Sequence, residues 1–215
     1  MLKFIFIKSL YAVNHVKISD YTIFKISCKK LIRVLSDILY FYEICPSTKN
    51  RIDLVNILSH IKGNEDAYAA YTWNDMADGG TLGLSLEYFT TDYVSMVDEI
   101  SERFHINKTN SMDAVIYHEL GHMLAQRIIR DNSVDCILKE ILDKEKDSIE
   151  ERKILSKLIP LTKEYIEQNI TWYASTELSE CFAELIAEII TSQNPREPAR
   201  KLKAYLIEHG YFKEF

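Results

Sequence analysis

Apolar side chains recur at steps of three and four at Leu31, Val34, Leu35, Ile38, Leu39 and Tyr42. This is the stripe of an amphipathic helix over 29–43, which must stop before Pro46. A denser run, Val115, Ile116, Leu120, Met123 and Leu124, predicts a helix buried on most sides from about 111 to 130. Asn110 or Ser111 can cap its start, and Asp113 suits a first turn, where the helix dipole favours an acid. Ile52–Leu58 fits a strand or a short helix, and Ala67–Trp73 is strand-like. Residues 81–86 alternate, with Leu82, Leu84 and Leu86 on one face and Thr81, Gly83 and Ser85 on the other. With the turn-rich 74–80 between them, these two runs predict a β-hairpin. Leu2–Ile7 and Tyr21–Ile26 are strand-like, and Tyr93–Phe104 fits a short helix. Charged amphipathic helices are expected over 133–147 and 149–169, the second disturbed at Pro160, with a strongly apolar helix over 173–190 and a closing helix over 195–209. The fold class implied is α+β. Residues 1–50 form a poorly readable N-terminal segment ahead of one domain, 51–215, with two lobes around a cleft.

The dense helix carries His118-Glu119-Leu120-Gly121-His122. Four residues apart, the two histidines share one helical face, so both imidazoles can reach one Zn²⁺, and Glu119 can reach a water on that metal. Unpaired histidines and a glutamate would be costly on so apolar a helix, and a metal accounts for them. A structural zinc is usually closed by four protein ligands, often cysteines, whereas two histidines, a carboxylate and a water leave a position for chemistry.

Composition narrows the setting. Of 215 residues, 47% are hydrophobic and 27% charged, with 6 Gly and 4 Pro, which excludes long disorder. The net charge of −6 argues against a general nucleic-acid partner, because phosphate neutralisation needs a basic surface. Cys28, Cys45, Cys136 and Cys181 are scattered and form no paired motif, so they read as free thiols in a reducing compartment. Lys8 interrupts the short apolar start of the chain, so a cytoplasmic or phage-associated setting is expected ahead of secretion. No apolar run approaches the ~20 residues of a membrane span.

A third metal ligand must come from elsewhere. A third histidine six residues after His122 would mark one large class of zinc peptidases, but that position is Ile128. The carboxylate-rich stretch is 173–188, where Glu177, Glu180, Glu184 and Glu188 fall at three- and four-residue steps, along one broad face if the stretch is helical. An exposed acidic stripe and a ligand-bearing face both fit that spacing.

The His-Glu-x-Gly-His motif, followed 51 residues after His122 (173 − 122) by Tyr-Ala-x-x-x-x-x-Glu-x-Phe-Ala-Glu, resembles the anthrax lethal factor type of glutamate zincins. That group includes the Pro-Pro endopeptidases and metallopeptidase domains of phage and mobile elements. The resemblance covers roughly 67–190. It implies a zincin-like fold, a small twisted sheet with an edge strand over the motif helix and a helical C-terminal part. It also implies one Zn²⁺ per chain held by His118, His122 and Glu180, with Glu119 activating the water and Tyr173 stabilising the oxyanion or protonating the leaving group. Glu184 would hold a ligand histidine's other N–H. The strand at 81–86, centred on Leu82, Gly83 and Leu84, fits either a sheet edge over the metal, taking a protein or peptide substrate by strand addition, or a plain half-buried strand. The function expected is zinc-dependent endopeptidase. The alternatives are a repressor-cleaving peptidase of mobile elements, disfavoured by the long gap to Glu180, and a non-catalytic, phage-associated binding module.

Overall fold

The computed structural model describes residues 15–18, 28–49, 51–61, 67–74, 79–90, 111–132 and 149–214. The predicted elements at 2–7, 21–26, 93–104 and 133–147 lie outside these. Strand β1 (His15–Ile18), helix α1 (Cys28–Ile44) and strand β2 (Ile52–Leu58) form a β–α–β unit with parallel strands. Then come β3 (Ala69–Asn74), β4 (Gly79–Ser85), the single-turn α2 (Leu86–Thr90) and α3 (Ser111–Asn132). The chain ends with α4 (Ile149–Leu158), α5 (Lys163–Asn169), a 3₁₀ turn at Tyr173–Ser175, α6 (Leu178–Thr191) and α7 (Glu197–Glu208). The class is mixed α+β. Among the described residues no helix is long and apolar enough to cross a membrane.

The sheet order β1-β2-β4-β3 corrects one expectation. The strand bearing Leu82, Gly83 and Leu84 is not an edge. It lies inside the sheet, parallel to β2 on one side and antiparallel to β3 on the other. Leu82 and Leu84 are fully buried, and a Cβ added at Gly80 would lie 2.5 Å from the Thr72 carbonyl oxygen of β3. The edge is β3. Ser85 N–H donates to the Tyr68 carbonyl, which sets Ala70 and Thr72 as hydrogen-bonded partners of Gly83 and Thr81, so by antiparallel alternation Tyr71 and Trp73 turn their backbone groups outward. Leu86 also leaves the strand, because the Ser85 hydroxyl accepts the Tyr88 N–H and opens α2.

Helix α1 follows its apolar stripe, burying Val34, Leu35, Ile38, Phe41 and Tyr42 in one core with Ile116, Leu120 and Leu124 of α3. Pro160 splits the 149–169 helix, and the Thr162 hydroxyl caps α5 by accepting the Tyr165 N–H. The 173–190 helix is also broken. Glu177 is extended (φ −151, ψ 152), so it does not share a helical face with Glu180. Glu188, near the end of α6, accepts three guanidinium and backbone groups of Arg196, whose Nη1 also donates to the Ile170 carbonyl at 2.5 Å. This brace ties α6, the α7 start and the approach to Tyr173 together.

Helices α3 and α6 pack with their backbones close. A Cβ added at Gly121 would lie 2.9 Å from Cα of Ala183 and 3.2 Å from Cβ of Ile186. Gly121→Ala is therefore expected to push the helices apart, destabilising the fold by about 1–3 kcal/mol. Chemical denaturation checks this, and an unchanged midpoint would show that the helices yield freely.

A polar cluster joins α1 to α3. Tyr117 donates to Asp37 at 3.1 Å, Arg33 pairs with Asp113, and Asp37 Oδ2, Asp113 Oδ1 and Tyr88 Oη are buried without hydrogen-bond partners among the described residues. Burial first, then the Asp113 charge, push Asp37 up to about 7, against the pull of Tyr117 and Arg33. Between the unfolded value near 4 and the folded value near 7 the native chain binds a proton that the unfolded chain has lost, so this contribution to stability falls as pH rises through that window. Asp37→Asn, fixed in the neutral form, is predicted to flatten the loss. Stabilities of both proteins from pH 4 to 8 measure it, and parallel curves would contradict it.

Candidate metal centre

The close helix pair sets the site. Counted from Gly121, His118 and His122 stand at −3 and +1. Counted from Ala183, Glu180 and Glu184 stand at the same offsets. Where two helices touch at small residues, the side chains that flank the contact on the same faces meet across the seam. His118 Nε2 lies 3.0 Å from Glu180 Oε2, His122 Nε2 lies 3.5 Å from the same oxygen, and the two Nε2 atoms are 3.2 Å apart. These three residues could hold a metal ion.

The donor set fits one. His118 Nδ1 sits 2.9 Å from Glu184 Oε1, which assigns the proton to Nδ1 and leaves the Nε2 lone pair facing the cluster. Glu180 Oε2 is buried and faces the two imidazole Nε2 atoms. Electron-rich atoms this close repel unless protons or a cation lie among them. A tetrahedral metal with bonds of about 2.0–2.1 Å needs ligand atoms about 3.3–3.4 Å apart, close to the three separations found here. The side chains of His118, His122 and Glu180 keep 11%, 20% and 19% of their surface, so one side of the triangle faces solvent.

Electrostatics follow from the same contacts. Burial by itself would lower His118, but Glu180 and Glu184 outweigh it and hold the imidazole well above its ordinary value. Burial would raise Glu180, but the two imidazoles hold its carboxyl far below the usual range. A metal entering this cluster therefore displaces protons from it, so affinity rises with pH.

Around this triangle stand Glu119 and Tyr173. Glu119 is buried, and its Oε2 accepts the backbone N–H of Tyr71 at 2.6 Å, which fixes the carboxylate against the outward edge of β3. Tyr173 leaves the 3₁₀ turn with its ring 6.0 Å from that of His118. Burial first, then the Glu180 and Glu119 charges, hold its hydroxyl protonated far above neutral pH. Cys181 next to Glu180 faces the core, where burial pushes the thiol up to about 12, and it is no ligand. Glu177 is absent from the cluster, having been carried off by the break before α6. Leu82, Gly83 and Leu84 lie one strand away from the site edge. Tyr71 is the contact that the sequence reading missed. The aromatic–polar–aromatic alternation Tyr71-Thr72-Trp73 was its available signal.

No protein-family model, curated protein or solved structure matches the chain.

The ligand set predicts that the wild type retains about one zinc per chain after loading and dialysis, that Glu180→Ala loses most of it, and that Glu177→Ala keeps it. Equal retention by all three would contradict the assignment.

Proposed function

We propose that the chain is a zinc-dependent endopeptidase of the lethal-factor-like, zincin-fold kind. The observation that supports this most is the meeting of His118, His122 and Glu180 beside a glutamate anchored on a sheet edge. His118, His122 and Glu180 would hold the zinc, with Glu184 fixing the His118 tautomer. Bound zinc supplies a water acidified towards neutrality and a Lewis acid for the peptide carbonyl.

The remaining roles belong to the chain. Glu119, oriented by the Tyr71 N–H, takes the proton of the attacking water and returns it to the leaving amine. Tyr173, protonated at working pH, donates its hydroxyl hydrogen to the oxyanion as charge develops there. The outward backbone groups of β3 other than the Tyr71 N–H, which Glu119 takes, hold the substrate extended, by the strand addition that the sequence reading assigned to β4.

Assayed on a diverse peptide library, the zinc-loaded protein is expected to cut. Glu119→Gln should lower the rate at least a thousandfold with zinc retained, and Tyr173→Phe by roughly 10²–10³ in kcat, the usual loss for one oxyanion donor. A zinc-loaded wild type that cuts nothing, or cuts as well as Glu119→Gln, would overturn the reading.

A further inference from the structure

Among the described residues two large hydrophobic side chains are exposed, Tyr40 at 37% and Trp172 at 51%. Tyr40 lies on α1, and Trp172 immediately precedes Tyr173. Its position is fixed from both sides. The fully buried Thr171 accepts the Ala174 N–H at 2.9 Å, and the Trp172 carbonyl accepts the Ser175 N–H at 3.1 Å and its hydroxyl at 2.6 Å. Just upstream, Arg196 holds the Ile170 carbonyl. The indole meets the Tyr173 ring edge-on, centroids 5.8 Å apart at 83°, and Tyr173 in turn lies 6.0 Å from His118.

A single exposed apolar residue is ordinary on a protein surface. This one is different in two respects: the turn beneath it is rigidly hydrogen-bonded, and it stands one ring away from the group that would meet the reacting carbonyl. Two successive ring contacts, Trp172 to Tyr173 and Tyr173 to His118, thus place the indole in the neighbourhood of the metal centre.

We propose that Trp172 is a specificity-determining residue whose exposed indole face receives a bulky apolar side chain, aromatic or aliphatic, at one of the two substrate positions flanking the scissile bond. This rests on the peptidase reading and narrows it to a substrate class. A large ring that is already ordered loses little freedom on binding, and covering it removes apolar surface from water.

The test compares cleavage of a peptide library by the zinc-loaded wild type, Trp172→Ala and Trp172→Phe, with zinc content and melting temperature measured alongside. The wild type is expected to favour bulky apolar residues at one flanking position. Trp172→Ala should lower kcat/KM for those peptides roughly 10–100-fold while leaving small-residue peptides within about threefold, and Trp172→Phe should keep most of the preference. A wild type that cleaves without this preference, or a Trp172→Ala that slows all peptides alike, overturns the inference and leaves the peptidase reading standing. A wild type that cuts nothing overturns both.

A second readout does not depend on turnover. The chain has 2 tryptophans, so Trp73→Phe leaves Trp172 as the one indole. In zinc-loaded Glu119→Gln with Trp73→Phe, a preferred peptide is expected to shift the emission to the blue and saturate. Unchanged emission at saturating peptide also overturns the inference.

Discussion

The contact on which the rest depends is the approach of two helix backbones at Gly121 and Ala183, where a single added methyl would stand 2.9 Å from Cα of Ala183. The apolar faces of α3 and α6 hold the helices together through Leu120, Leu124, Phe182 and Ile186. With no bulky side chain at the point of contact, the polar groups three residues before and one residue after it reach across. Both helices place them at the same offsets. A glycine and an alanine thus decide whether two histidines and a carboxylate can converge.

That convergence would be unfavourable by itself, since three acceptor atoms within 3.5 Å of one another share a largely buried seam. Protons relieve it in the metal-free protein, and a metal relieves it more completely. The surrounding layer fits the second outcome, because Glu184 commits the outer nitrogen of His118 and so leaves the inner one as a ligand. The Tyr71 N–H does for Glu119 what Glu184 does for His118. It couples the sheet edge that would carry a substrate to the carboxylate that would move a proton.

Much of this site was readable in the sequence because helices repeat regularly. Four-residue spacing put His118 and His122 on one face, and the apolar flanks of 115–124 announced a buried helix. Glu180 could not be separated from Glu177 or Glu184 by spacing, since the break at Glu177 carries neither proline nor glycine. It is a tertiary event, set where Tyr173–Ser175 turns to meet the site. The edge strand was misread for a related reason. Alternation at Leu82, Leu84 and Leu86 reports burial on one face, whereas neighbours in a sheet are set by packing. The small residues Gly79, Gly80 and Gly83 were the hint that another backbone passes closely on the flank. The Glu188–Arg196 brace spans a helix end and a turn, and nothing periodic marks it.

The most direct measurement is a crystal structure of the zinc-loaded protein with anomalous differences collected on both sides of the zinc absorption edge. One strong edge-dependent peak is expected, bounded by His118 Nε2, His122 Nε2 and a Glu180 carboxylate oxygen, with an open side towards solvent. An ordered site without such a peak, or a peak held by other residues, would contradict the ligand assignment.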